Sequence, residues 1–371
     1  MSAQDSLRAS DRAQTVVGLY GDPTVSWSII LEARLLSSLD PLSARERLCA
    51  ATEKYPHLGA PPRIEPIVAA ELPVVRGRFA AAPYLRGEPL LRVAICADEP
   101  VIVVAAHHGA LDGLGLLAVL GIAVDVPISS GAQGIGARTA DRSFVASAVK
   151  RLGEAVFAPP ARIAPAASAT NRSGDVFAAR HETRTRLGAA AFVAAATRVS
   201  ERWNTVHGTK AARMVAAVGA SCRSGAAPVP EHDSAFFRLR LKRDPSADDV
   251  RALLAETNPE PDFPARSSKI ARLVTRALAG RLGSTFLVSN LGVVSAGDAV
   301  RSIAFYPAAS GRSGVAFGVV TVGETSTFTI RARRKDFGTA AAAELVDELV
   351  NTLRGEDSRP GSGQPGDVAH Q

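Results

Sequence analysis

Hydrophobic and polar positions follow two rhythms along the first third of the chain. Residues 24–35, TVSWSIILEARL, carry the β-branched and aromatic residues of a strand. Residues 40–58, DPLSARERLCAATEKYPHL, return Leu42, Leu48, Cys49, Ala51 and Thr52 toward one face at helical spacing, with Asp40 placed to cap the start and Pro56 to stop it. PVVRGRFAA (73–81) reads as a further strand. PLLRVAICADEPVIVVAAHHG (89–109) reads as two strands joined by a tight turn at Asp98-Glu99-Pro100. After Asp112, GLGLLAVLGIAV reads as a helix despite glycines that each cost about 1 kcal/mol relative to Ala.

Two Gly/Ser/Ala/Pro-rich stretches, 129–143 and 158–175, interrupt this pattern, and the second marks a lobe boundary. Beyond it the spacing predicts a helix over 187–202, a helix or strand over 212–223, a strand over 234–241 and a helix over 265–280. Strands at 284–292, 313–323 and 325–334 follow, then a closing helix over 339–353. The chain therefore reads as mixed α/β in two lobes, residues 1–160 and 161–355. The polar, Gly/Pro-rich tail 356–371 is expected to be disordered.

The length, 371 residues, suits two cores rather than one. At 46% hydrophobic and 21% charged, the composition is that of an ordinary globular protein. No apolar run reaches the ~18–20 residues of a membrane span, and the N-terminus has no apolar signal core. Cys49, Cys96 and Cys222 are scattered and lack metal spacing, which suits a reducing cytoplasm. A net charge of +7 invites a nucleic-acid reading, but only six of the 43 basic residues are lysine and the arginines are dispersed, with no basic block interleaved with aromatics. Nucleic-acid binding is not expected.

The chemistry concentrates in HHGALDG, residues 107–113. Asp112 could simply cap the following helix, with both histidines satisfied at a strand end. A metal site is disfavoured, because adjacent strand residues point to opposite faces and no third ligand clusters nearby. Acid–base catalysis remains: an imidazole with an ordinary pKa near ~6.5 accepts protons at neutral pH. A positioned base contributes roughly 10²–10⁴ in rate.

HHGALDG, with the strand pair before it and the helix after it, resembles the HHxxxDG signature of the chloramphenicol acetyltransferase-like superfamily. That superfamily includes the condensation domains of nonribosomal peptide synthetases and the alcohol and polyketide-associated acyltransferases. LDPLSARERLCAATEKYPHLG (39–59) resembles its first helix, STFLVSNLG (284–292) its Ser-Asn-Leu-Gly stretch, and FTIRARRKDFGTAAAAELVDELVNTL (328–353) its last strand and helix.

The resemblance implies two chloramphenicol acetyltransferase-like lobes forming a V, with a tunnel between them. It assigns catalysis to His108, as general base, and Asp112, which braces the loop through a salt bridge to an arginine. His107 would be structural, and Gly113 would leave room for backbone and the donor's pantetheine. Ser289 and Asn290 would lie near the tunnel and hydrogen-bond the donor or an oxyanion; a plain strand-to-turn role is equally open to them. The arginine that pairs with the motif aspartate is missing from its family position, where Leu58-Gly59 stand, leaving Arg63 or Arg92 to replace it.

No bound cofactor or metal is implied. The donor would be acyl-CoA or a phosphopantetheinyl carrier-protein thioester, the acceptor a small alcohol or amine, and the setting cytoplasmic secondary or lipid metabolism. The rival expectation is a degenerate member that serves as a docking scaffold for a carrier protein or enzyme. Thioester hydrolysis would use the same base.

Overall fold

The computed structural model describes residues 27–357 apart from 85–87, 133, 137, 168, 170–171, 184–186, 210–211, 224–226, 262–282 and 310–311. The helix expected over 265–280 and the tail expected to be disordered lie outside the described residues.

The first sheet is built from β1 (Ser28–Leu35), β2 (Ile64–Ile67), β3 (Leu91–Cys96), β4 (Val101–His107) and, from far along the chain, β10 (Val300–Tyr306). Its order is β10-β1-β4-β3-β2, antiparallel except for the β2–β3 pair. Strand β4 is buried on both faces. Ile102, Val104 and Ala106 join the core beneath α1 (Pro41–Lys54) and α3 (Gly113–Val124), while Val101, Val103 and Ala105 face α2 (Leu72–Ala81). An apolar run of this kind is what a doubly covered strand requires.

Helix α2 corrects the strand expected over 73–81. Leu72, Val75, Phe79 and Ala80 are buried, a helical stripe, while Val74 is exposed. Pro73 sits in the first turn, where the backbone N–H it lacks has no intrahelical partner to lose. Helix α1 starts as expected, with Asp40 accepting from the N–H groups of Leu42 and Ser43.

The second sheet has the order β6-β12-β11-β9-β7-β8, with β5 (Ser129–Ser130) added on β9. Its strands are β6 (Asp175–Thr183), β7 (Met214–Ser221), β8 (Ser234–Leu241), β9 (Phe286–Ser295), β11 (Val315–Val322) and β12 (Thr325–Arg333). The β11–β9 and β7–β9 pairs are parallel and the others antiparallel. Helices α5 (Ala189–Val206) and α7 (Thr339–Asp357) contribute Phe192, Val199, Leu345 and Leu349 to its core, beside Phe286, Phe317 and Phe328. Helices α4 (Phe144–Phe157) and α6 (Ala247–Glu256) complete the described set. The segment 212–223, left open between helix and strand, is strand β7.

The two sheets exchange strands: β10 leaves the second half for the first sheet, and β5 leaves the first half for the second. Strand β9 itself passes from one core to the other. Phe286 and Val288 belong to the core of the second sheet, and Leu291 and Val294 to that of the first. The change falls at Asn290–Gly292, where Gly292 adopts φ 74° and Asn290 Oδ1 accepts the Gly292 N–H at 2.8 Å. The left-handed backbone there suits glycine, and a Cβ would stand 2.6 Å from the Ala132 nitrogen.

Candidate active site

Strand β4 ends at His107, paired with Ser28 across β1. The chain then turns through 108–110, and the His107 carbonyl accepts from both Ala110 and Leu111 N–H groups. Two imidazoles with different surroundings result. His107 is buried, and its Nδ1 accepts the Gly109 N–H at 3.0 Å. An accepting Nδ1 places the proton of the neutral ring on Nε2. Burial first, then the neighbouring His108 and Arg92, push its pKa down to about 4. Tyr84 meets the ring edge-on at 5.2 Å and exchanges a hydrogen bond with Ser28 Oγ. His107 is therefore uncharged at neutral pH and enclosed.

His108 is only partly buried, and its backbone N–H donates to Trp27 O. Its Nδ1 lies 3.0 Å from the Leu111 carbonyl oxygen. A carbonyl only accepts, so Nδ1 carries the hydrogen and Nε2 of the neutral ring keeps its lone pair. The loop's own backbone thus selects the tautomer a base needs. The ring of His232 stands 5.4 Å away, centroid to centroid.

Asp112 does two jobs. Its Oδ1 accepts the Gly115 N–H at 2.7 Å, capping α3, which is the bland role the sequence allowed. The same buried carboxylate also accepts from Arg223 Nη2, 3.2 Å from each oxygen, and from the Asp233 N–H at 2.9 Å. The arginine partner is therefore Arg223, just beyond β7 in the second half, and neither Arg63 nor Arg92. Arg63 is exposed. Arg92 donates to the carbonyls of Phe79, Ala82 and Pro83 and lies over the Tyr84 ring.

The segment 229–233, also from the second half, is clamped over the motif. His57 Nε2 is 2.7 Å from Pro230 O, Arg223 donates to Glu231 O, and the Asp112 N–H reaches the same carbonyl at 3.4 Å. A Cβ on Gly115 would stand 2.3 Å from Glu231 O, so this glycine permits the approach. The space beside Gly113 is taken by Leu291 and Phe305, 2.5 and 3.1 Å from where a Cβ would be. Gly113 therefore admits α3 to β9 and β10.

Ser289 and Asn290 lie on β9 just before Leu291, the residue that packs on Gly113. Ser289 is flanked across the sheet by Gly219 and Gly318. The Asn290 amide is engaged by backbone on both sides, donating to Leu187 O and accepting from Gly292, at a bulge within β9 and not at the strand-to-turn transition that the sequence left open. Sequence reasoning missed Arg223, His57 and His232. Arg223 carried one faint signal, a cation directly after an apolar strand candidate; the two histidines carried none. Among the described residues no group of three or more His, Cys, Asp or Glu is disposed to hold a metal ion, and no helix is long and apolar enough to cross a membrane.

These features define a protein with the condensation-domain fold. A variant starter condensation domain of rhizomide synthetase, solved with C8-CoA and Leu-SNAC, is similar over 92% of this chain and 91% of its own at TM-score 0.58 and 13% identity. The first condensation domain of the calcium-dependent antibiotic synthetase, in complex with a substrate analogue, gives TM-score 0.58 and 12% identity over 95% and 96%. The EpoB cyclization-docking bidomain from Sorangium cellulosum gives 0.57 and 13% over 94% and 84%. No protein-family profile and no curated protein matches the chain. The mixed α/β fold expected from HHGALDG and its flanking elements is thus the fold found.

Proposed function

We propose that this chain is a condensation-type acyltransferase, moving an acyl group from a CoA or carrier-protein thioester to a hydroxyl or amine, with His108 as general base. The observation that carries the reading is the Leu111 carbonyl at His108 Nδ1, which leaves the Nε2 lone pair available. Nε2 takes the proton of the acceptor O–H or N–H as that atom bonds to the thioester carbonyl carbon. The tetrahedral adduct then collapses, the C–S bond breaks, and the sulfur leaves with the proton returned from Nε2. Product and free thiol balance the step.

Asp112 acts through position: its ion pair with Arg223 and its bonds to Gly115 and Asp233 hold the loop that presents His108. Arg223 supplies the counter-charge that seemed missing from the sequence, which weighs against the docking-scaffold reading. Ser289 remains the candidate donor to thioester or oxyanion from β9. The complex of a variant rhizomide synthetase starter condensation domain with C8-CoA and Leu-SNAC supports thioester donors for a chain of this fold.

The test is thiol release from a panel of acyl-CoAs and acyl carrier proteins, with pooled amines and alcohols, comparing wild type with His108→Ala. Acceptor-dependent release that falls by at least roughly 10² in the variant supports the proposal. Acceptor-independent release identifies a hydrolase. Release unchanged by His108→Ala, or none from any donor, refutes it.

A further inference from the structure

Helix α4, laid against β8 at the edge of the second sheet, is turned inside out. A surface helix ordinarily gives its apolar stripe to the core and its polar face to water. In α4 the polar residues Ser147, Arg151 and Glu154, which share one face at helical spacing, point inward. Ser147 is buried. Arg151 Nη2 meets Glu260 Oε2 at 2.9 Å with its guanidinium over the Phe236 ring of β8. Glu154 takes Arg238 at 2.5 Å and Arg240 besides, both from β8. The opposite face carries Val145, Val149, Leu152 and Val156 at i, i+4, i+7 and i+11, joined by Ala146 and Phe157. Val145 and Val149 are 69% and 65% exposed and Phe157 85%. The ion pairs to β8 and Glu260 hold the helix in this orientation and keep the apolar stripe from rolling inward.

The stripe runs ~18 Å from Val145 to Phe157 at helical rise, and its flank is cationic. Lys150 is exposed at its edge. Partial burial first, then the neighbouring Arg142 and Arg240, lower the Lys150 pKa. Arg240 is largely exposed although it shares Glu154 with Arg238. Arg142 is half exposed, with the Asp141 carboxylate 3.8 Å away. Glu154 and Glu260, by contrast, are turned toward the protein and matched there. Solvent therefore meets an apolar ridge edged by positive charge. A protein partner would have to bring a groove shaped to that ridge. A lipid headgroup layer accepts a single apolar helix face as it stands, to a depth of ~5–10 Å, and anionic headgroups match the charge beside it.

We infer that α4 is a docking surface for an anionic lipid layer, with Val145, Val149, Val156 and Phe157 entering the headgroup boundary and Lys150, Arg142 and Arg240 meeting the headgroup charge. The chain then lies on the layer and does not cross it, since none of the described helices is long and apolar enough to span a membrane.

The test is co-sedimentation of the full chain with vesicles of equal phosphatidylglycerol and phosphatidylcholine, against vesicles of phosphatidylcholine alone. The chain should bind the anionic vesicles, more weakly as salt rises, and the neutral ones at least about tenfold more weakly. Val149→Asp should weaken binding by a similar factor with Tm unchanged, because the position faces solvent. Lys150→Gln should weaken it about fivefold, the worth of one cation near such a surface. Phe157→Trp should show a blue-shifted emission when vesicles are added. Failure to bind the anionic vesicles, equal binding to neutral ones, or full binding by Val149→Asp overturns the inference. So does a fall in Tm for Val149→Asp, which would assign the stripe to residues 262–282, whose flanks Glu260 and Gly283 both adjoin partners of α4. A dimer that Val149→Asp dissociates would assign it to a second copy and overturn the inference equally. Thiol release by His108 is a separate readout, so the two proposals fail independently.

Discussion

The ion pair between Arg223 and Asp112 joins the halves at the motif, and its removal has a calculable effect. The Asp112 side chain is 4% exposed and that of Arg223 11%. Arg223→Gln leaves a carboxylate buried without its counter-charge, a change that costs about 3–5 kcal/mol in such settings. Asp112 keeps its bonds from the Gly115 and Asp233 N–H groups, so the loss should fall near the lower end, about 3 kcal/mol. Asp112→Asn strands the guanidinium instead and should be comparably harmful. The double variant removes both charges while Asn still accepts at the cap, so it should lose less than the sum of the singles by at least about 1.5 kcal/mol. Denaturant melts of the four proteins close the cycle, and thiol release by each reports the loop's catalytic position. Singles that add to within about 0.5 kcal/mol would refute the pairing as the brace of the loop.

Three further outcomes are expected. Gly115→Ala, which intrinsic helix propensity would favour by about 1 kcal/mol, should instead lower Tm, because its Cβ meets the Glu231 carbonyl; Gly113→Ala should be milder, since Leu291 can turn aside. A higher Tm for Gly115→Ala would contradict the clamp of 229–233 over the motif. His107 titrates near about 4 folded and ~6.5 unfolded, so the unfolded chain takes up a proton first as pH falls. Stability should therefore drop by up to about 3 kcal/mol between pH 6.5 and pH 4, and His107→Gln should flatten that part of the slope. An unchanged slope in the variant would show that other groups set it. His108→Ala, by contrast, should remove thiol release while leaving the melt close to wild type.

Much of the first half was legible because each element there answers to local rules. Alternation and β-branching placed β1, β3 and β4, Asp40 announced α1, and the strand-loop-helix rhythm around HHGALDG located the candidate base. PVVRGRF failed because a short segment with adjacent valines fits either period. The contacts of Leu72, Val75 and Phe79 with the sheet decided in favour of helix. Strands β2, β6 and β10 and helices α4 and α6 escaped notice, although Ser143 and Ser246 cap the two helices by an ordinary local rule. The turn expected at the end of 284–292 is instead a bulge inside β9, which runs on to Ser295, and one strand serving two cores has no local signature.

The sequence alone determined the catalytic candidate and its immediate frame, since strand end, turn and cap are all set by residues within a dozen positions of His108. Only the tertiary structure decided what holds that frame. Arg223 reaches Asp112 across 111 residues of chain, Pro230 meets His57 across 173, and β10 pairs with a strand more than 260 residues earlier. Charge pairing and close packing depend on distance in space, and no pattern along the chain records which distant residue the fold will bring within hydrogen-bonding reach.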